Sequence, residues 1–346
     1  MRVGLVLGAG GVQGGAWLTG ALAALAEETG WDPAGADYIV GTSAGAMLGS
    51  LLAAGLPPWF MVAHSAGESF DGMTDARGNH AGDADRAAGA IFRPQRGALP
   101  LFPGSLPLVA RSLLRPHRHT PAGLMSGWLP RGMISSEPLR DIIRSAVAGS
   151  WTKHPNHWVV ACDYANGRRI AFGRRGAPRA KLEDAVAASC AIPGFYRPVR
   201  IGSRSYVDGG IWSTSNLDIL RGQGLDLVIC LNPTSTLHPV RALNPLNAFS
   251  LVFNRASGRR LGSEAKKLRM EGTDVALIQP TDRDLEVMGV NLMSRRNRNR
   301  TIEVAAQTTA EQLAEPDMRE RLADLPPGDP DMVRRPDRPS YEWPGI

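Results

Sequence analysis

The segment running from Asp37 to Ala54 constrains the fold more than any other. It sets three strand-favouring residues, Tyr38, Ile39 and Val40, before Gly41-Thr-Ser-Ala-Gly45 and an Ala- and Leu-rich run. A strand that bends at Ser43 and turns at once into a helix fits that order. Glycines two residues before and after the serine leave room for the sharp turn of a nucleophile elbow, which pushes the hydroxyl out above the sheet edge. The helix start also offers unpaired N–H groups and a partial positive charge to an oxyanion. A serine at that place serves equally as a helix N-cap. In a chain with 39 glycines the pattern alone does not choose between the two readings.

Upstream, Val3 to Leu7 is an aliphatic strand that ends in Gly8-Ala-Gly-Gly-Val-Gln-Gly-Gly15, and Trp17, Leu18, Leu22 and Leu25 then recur at helical spacing. Glycines let such a loop aim backbone N–H groups at an anion without obstruction. A dinucleotide fingerprint is disfavoured, because Gly8 and Gly10 are followed by Gln13 where a third glycine is required, and Val40 leads into Gly41 with no acidic residue closing the second strand. No Lys-Ser or Lys-Thr pair follows the glycines, which excludes a phosphate loop. A helix is expected over 14–28, stopped by Gly30, with Pro33 and Gly35 in the connection. The candidate nucleophile therefore arrives on the second strand. In α/β-hydrolases it comes later, and a histidine follows the acid.

Residues 55–130 change character. Pro, Gly, His and Arg are frequent, and Phe92, Leu99, Leu101, Phe102, Leu106, Leu108 and Val109 lie among prolines that exclude a long regular helix. This reads as an insertion or lid, either packing its leucines on the main domain or, with Arg111, Arg115, His117, Arg118 and His119, meeting a lipid interface. A helix follows over 137–147, with Ser135 or Ser136 as its cap. Residues 158–162 and 169–172 form a hairpin through Asn166-Gly167, and helix resumes over 182–189. Tyr206-Val-Asp-Gly-Gly210 places an acid, Asp208, in what is otherwise a common turn. None of the seven histidines has a spacing that marks it as a base; His238, after the strand at 225–231, is the one that follows Asp208. A helix over 246–272, a strand over 275–279 and a helix over 301–313 complete a single domain over 1–324, before a Pro-rich tail at 325–346. The alternation of strands and helices predicts an α/β fold with a mainly parallel central sheet between helices.

Composition narrows the partners. Of 346 residues, 43% are apolar and 21% charged, enough to bury a large core. The net charge of +6 comes from arginine, clustered at 111–118, 168–179 and 295–300. These faces are either solvated or suited to peripheral contact with an anionic membrane surface; no nucleic-acid partner is expected. Cys162, Cys190 and Cys230 sit in apolar runs without metal-ligand spacing and read as reduced core residues. No signal peptide or membrane-spanning stretch is legible, so a cytoplasmic protein, peripheral to membranes at most, is expected.

Four blocks in order, Gly10-Gly-Val-Gln-Gly14, Gly41-Thr-Ser-Ala-Gly45, Ala188-Ser-Cys-Ala-Ile-Pro-Gly194 with Pro198, and Asp208-Gly-Gly210, resemble the patatin-like phospholipases, Ser-Asp acyl hydrolases. The resemblance spans about residues 3–235. It implies a three-layer architecture, Ser43 as nucleophile, Asp208 as its base, and an oxyanion hole from the N–H groups of Gly10, Gly11 and Val12. Gln13, Gly14, Gly41, Gly45, Gly209 and Gly210 then support the motifs. It implies a lipid or other acyl-ester substrate, and neither metal nor cofactor. One departure is Gln13, where the family usually carries Arg or Lys, which removes a charge from that loop; Ala9 also replaces a frequent glycine. Two other readings stand beside this one: a non-catalytic patatin-like module that binds lipid or a protein partner, and an esterase of α/β-hydrolase type using His238.

Overall fold

The computed structural model describes residues 1–68, 92–95, 101–115, 120–236 and 245–337, and for 245–255 the backbone alone. Eight strands make one sheet: β1 (Val3–Leu7), β2 (Tyr38–Thr42), β3 (His157–Asp163), β4 (Arg169–Phe172), β5 (Val199–Ile201), β6 (Arg204–Asp208), β7 (Leu227–Leu231) and β8 (Asp274–Ile278). Their order is β5-β6-β3-β2-β1-β7-β8, with β4 on β3. The run β3-β2-β1-β7-β8 is parallel, whereas β4, β5 and β6 are joined antiparallel. This is the mostly parallel sheet expected from the alternating elements.

Every residue of β1, β2, β3 and β7 is buried, as strands covered on both faces must be. Side chains alternate between the layers. Val3, Leu5 and Leu7 join one core with Trp17, Leu18, Leu22 and Leu25 of α1 (Gly11–Thr29) and with Leu48 and Leu52 of α2 (Ala44–Ala53). Val6, Val40 and Val228 join the opposite core with Leu261, Ala265 and Leu268. Two short helices, α3 (Pro58–Ser65) and α4 (Leu106–Leu114), are followed by α5 (Pro121–Trp128), α6 (Glu137–Ala146), α7 (Leu182–Ser189) and α8 (Pro245–Arg269). Helices α9 (Asp282–Met288), α10 (Arg298–Ala314), α11 (Pro316–Leu322) and α12 (Pro330–Val333) close the chain.

One register detail positions the site. Cys162 of β3 pairs with Arg169 of β4 and with Val207 of β6, so these two strands lie on opposite edges of β3. Val159 pairs with Phe172 of β4 and with Gly41 of β2, which places β2 on the same edge as β6. Thr42 ends β2 opposite Val160, and Asp208 ends β6 opposite Ala161. The two strands thus approach each other end to end along one edge of β3. The residue after Thr42 is Ser43.

Three expectations change. Helix α1 begins at Gly11, so Gln13, Gly14 and Gly15 lie in its first turns and not in a loop. Phe60 and Met61 of α3 are buried in the main core, so the start of the 55–130 stretch belongs to that core. The Pro-rich tail at 325–346 is in part docked on the domain: Asp329 caps α12, Val333 is buried, and the Gly328 N–H donates to the Gly30 carbonyl at 2.8 Å. Composition missed this because proline and aspartate also start a helical turn, through a fixed φ and a side-chain cap. Leu99, most of 69–100 and 338–346 lie outside the described residues.

Helix α10 lies against α1 at Gly20, where a Cβ would collide with the Ile302 carbonyl oxygen and approach the Ala306 nitrogen to 3.0 Å. The neighbour is backbone and cannot swing away. Gly20→Ala is expected to lower the unfolding free energy by about 1–3 kcal/mol, as overpacking does, measured by urea denaturation.

Candidate active site

Ser43 takes φ +55° and ψ −120°, a conformation costing an L-residue on the order of 1–3 kcal/mol. The flanking glycines make that turn sterically feasible. A Cβ on Gly45 would strike the Leu7 carbonyl at the end of β1, and one on Gly41 would lie 2.5 Å from the Ala46 Cα. Helix α2 therefore starts in van der Waals contact with the strand ends. Ser43 occupies the N-cap position of α2, yet its side chain makes no capping hydrogen bond. Its hydroxyl instead acts on Asp208, lowering that carboxyl's pKa against the rise due to burial. The Ser43 N–H is held separately, donating at 2.8 Å to Ser189 Oγ, which donates at 2.6 Å to the Val160 carbonyl.

Asp208 is 5% exposed. Its Oδ1 accepts from the Gly210 N–H at 2.7 Å, so the Asp-Gly-Gly turn orients the carboxylate as well as ending β6. Burial raises the carboxyl to about 6, against the opposing pull of the Gly210 hydrogen bond and of Ser43. Gly209 fits beneath because a Cβ there would sit 2.6 Å from the Val160 carbonyl oxygen. Burial and then the nearby Asp208 charge push the Cys190 thiol up, leaving it neutral at physiological pH.

The glycine loop closes over this pair. A Cβ on Gly210 would lie 3.6 Å from Ala9 Cβ, and one on Gly15 would lie 3.6 Å from Ala44 Cβ, so the loop touches one end of the site and the first turns of α1 the other. The N–H groups of Gly8, Ala9, Gln13 and Gly14 donate to Leu231, Thr214, Leu292 and Gly10 carbonyls. Among the described residues, nothing accepts from the N–H groups of Gly10, Gly11 and Val12. These three donors stand at the N-terminus of a 19-residue helix that has no acidic residue in its first turn. Such an arrangement receives negative charge.

Gln13 does not stand in for a site-facing cation. It is 1% exposed, and its amide is bonded to the 294–301 segment: Nε2 donates to the Ser294 carbonyl at 2.9 Å and to the Arg296 carbonyl, and Oε1 accepts from Thr301 Oγ1 at 2.8 Å.

Sequence reasoning missed Ser189 and Asn216. Asn216 Nδ2 donates to Thr42 Oγ1 at 3.0 Å and to the Ser213 carbonyl at 2.6 Å, tying the end of β2 to the chain after the Asp-Gly-Gly turn. Beneath it, buried Glu264 accepts from Ser215 Oγ at 2.7 Å and from the Leu217 N–H at 3.0 Å, and pairs with Arg260 at 3.0 Å. Ser189 stood in a motif block, yet no local signal distinguished it from its small neighbours.

Neither His157 nor His154 is placed to serve as a base. His157 begins β3, so in a parallel sheet it lies at the opposite end from Ser43. Its Nε2 is 3.3 Å from Ser50 Oγ and its Nδ1 is 3.1 Å from Thr152 Oγ1; burial pushes it down to about 3, so it is a neutral core residue. His154 bonds the Ala36 carbonyl. His80, His117, His119 and His238 lie outside the described residues. All three cysteines are buried and unbridged, and among the described residues no His, Cys, Asp and Glu cluster could hold a metal.

Fold and site together define an α/β protein with a strained serine turn, a buried carboxylate at the neighbouring strand end, and a helix start beside them. A family model described as Patatin-like phospholipase matches residues 5–221, more than half of the chain, and the chain belongs to that family of lipid acyl hydrolases.

Folded Asp208 keeps its proton up to about pH 6, while an unfolded aspartate releases it near 3.8. The unfolded state binds fewer protons in that window, so this residue makes stability fall as pH rises through it. Asp208→Asn, neutral throughout, is expected to gain up to about 3 kcal/mol of stability relative to wild type between pH 4 and pH 7.5, measured by denaturant melts at both values.

Proposed function

We propose that this chain is a serine acyl hydrolase that cleaves carboxylic esters of lipids, with Ser43 as nucleophile, Asp208 as general base, and the N–H groups of Gly10, Gly11 and Val12 as the oxyanion hole. The observation that carries this is the strained Ser43 at the end of β2, set by the register of β3 beside Asp208 at the end of β6, a buried carboxyl that burial raises to about 6. A carboxylate at its ordinary pKa is a poor base; one raised toward neutrality accepts the serine proton more readily and stays ionised at pH 7. Ser43 Oγ attacks the ester carbonyl as Asp208 takes the hydroxyl proton. The tetrahedral oxyanion is received by the free N–H groups, a donor of this kind contributing about 3 kcal/mol. The protonated Asp208 then donates to the leaving alcohol. In the second half Asp208 deprotonates a water, which attacks the acyl-serine; Asp208 then returns that proton to Ser43 Oγ as the acyl–oxygen bond breaks and the fatty acid leaves.

A specific surface supports peripheral contact with an anionic membrane. Leu101, Phe102, Leu106, Leu113, Leu114 and Met125 are each more than half exposed, and all fall within 101–125. Apolar side chains of that size in one short stretch are suited to entering the headgroup and acyl boundary. Arg111, Arg115 and Arg131 lie in the same stretch or just after it and, with Arg168 and Arg204, line a cleft of about 1020 Å³. Thr120 Oγ1 bonds the Ile211 carbonyl, three residues after Asp208, which connects this surface to the site. No helix among the described residues is long and apolar enough to cross a membrane.

A fluorophosphonate probe is expected to label Ser43 and to leave Ser43→Ala untouched; a folded wild-type protein that takes no label would sink the assignment. Turnover of a soluble ester should rise with pH to a plateau, with its midpoint near the Asp208 value of about 6, and Asp208→Asn should lower it by at least ~100-fold. For the surface, Phe102→Ser with Leu114→Ser is expected to weaken co-sedimentation with anionic vesicles while turnover of the soluble ester persists.

A further inference from the structure

The glycine segment has a mechanical problem. In Gly8-Ala-Gly-Gly-Val-Gln-Gly-Gly15, five of eight residues are glycine, which lose the most conformational freedom on folding and resist it accordingly. Three neighbouring N–H groups must nevertheless hold one direction. Gln13 is the one residue of this segment whose side chain can form hydrogen bonds, and all of that capacity is directed at a stretch nearly three hundred residues away. Both amide hydrogens are donated, to the Ser294 carbonyl at 2.9 Å and to the Arg296 carbonyl. The amide oxygen accepts from Thr301 Oγ1 at 2.8 Å, and the Gln13 backbone N–H donates to the Leu292 carbonyl at 2.9 Å.

The partner stretch is itself fixed. Asn291 Oδ1 accepts from the Met293 N–H at 3.1 Å, the Ser294 N–H donates to the Asn291 carbonyl at 2.9 Å, and the Thr301 N–H donates to the Asn297 carbonyl at 2.8 Å at the start of α10. It also sits directly on the loop: a Cβ on Gly11 would lie 2.9 Å from the Leu292 oxygen and 3.0 Å from Met293 Sδ. Gln13 and Thr301 are each 1% exposed, so water cannot replace a lost bond cheaply. Residues 292–301 fall outside the stretch matched by the family model.

We infer that residues 292–301 are a clamp that positions the oxyanion loop through Gln13, with Gln13 and Thr301 as positioning residues that touch no substrate. The inference rests on the acyl-hydrolase reading for its effect on turnover. By accepting from the Gln13 N–H, Leu292 also decides which donors of the first turn remain free: Gly10, Gly11 and Val12 stay open, and the next is occupied. A small rotation of this turn misaims all three at once, which lowers the rate of the chemical step more than the binding of the ground state.

The test compares wild type with Thr301→Val, which keeps the shape and removes the donor, Thr301→Ser, which restores it, and Gln13→Ala. Thr301→Val is expected to lower kcat on a soluble ester about tenfold or more with KM within about twofold, and to speed hydrogen–deuterium exchange in the peptide covering 8–16. Thr301→Ser should return both readouts toward wild type. A Thr301→Val protein with kcat within about twofold of wild type, or with reduced kcat and unchanged exchange over 8–16, overturns the clamp. If Gln13→Ala does not fold, the two Thr301 variants decide alone. A wild-type protein without ester turnover refutes the acyl-hydrolase reading instead, and exchange over 8–16 still reports whether the clamp holds the loop.

Discussion

The structure depends on two strands sharing one edge of a third. Strand β3 offers His157–Val160 to β2 and the next residues to β6, which arrives from the opposite direction. Neither strand can extend further without displacing the other, so both chains must turn away at the junction. One turns through Ser43 into a helix, the other through Asp208 into a glycine turn. The backbone hydrogen-bond register therefore sets the serine beside the carboxylate, and the side chains inherit that accuracy from the sheet. A strained serine persists there because the surrounding bonds, from Ser189 to its N–H and from the close seat of Gly45 on Leu7, leave it no relaxed alternative.

Burial then does chemical work that solvent exposure would undo. The layers that bury the sheet also dehydrate Asp208, and that dehydration carries its pKa toward neutrality without a histidine or a second acid. The neighbouring thiol of Cys190 responds to the same dehydration in the opposite functional sense and remains protonated. Keeping an ionised carboxylate in this place opposes folding. The hydrogen bond from Gly210 relieves part of that cost and, being directional, fixes the orientation of the carboxylate.

Much of this was legible in the chain. Strand runs such as Val3 to Leu7 are continuous and aliphatic, which is how a doubly covered strand reads, and the Asn166-Gly167 turn marked its hairpin. Ser43 and Asp208 could be singled out because steric restriction leaves glycine signatures around each. Ser189, Asn216 and Glu264 could not, since a buried serine, asparagine or glutamate leaves no periodic or spacing pattern, and each acts across 29 to 174 residues of sequence. Gln13 was read by its lost charge, the natural comparison when only side-chain type is visible. Its actual partners are backbone carbonyls, and a carbonyl's position is invisible in any sequence. The tail after Asp324 misled for a related reason: its composition is that of a loop, while one buried valine and one aspartate cap suffice to dock it.

By itself the sequence determined the alternation of strands and helices, the three places where backbone must pass too close for a Cβ, and the residue types able to attack, accept a proton and receive an oxyanion. Those follow from local sterics and periodicity, which act over a few residues. The tertiary structure alone decided that β2 and β6 meet end to end, that Asp208 is dry enough to titrate near neutrality, and that the glycine loop is held from the far end of the chain. Register, desolvation and long-range hydrogen bonding are properties of residues brought together by folding, and none has a local pattern from which it could be read.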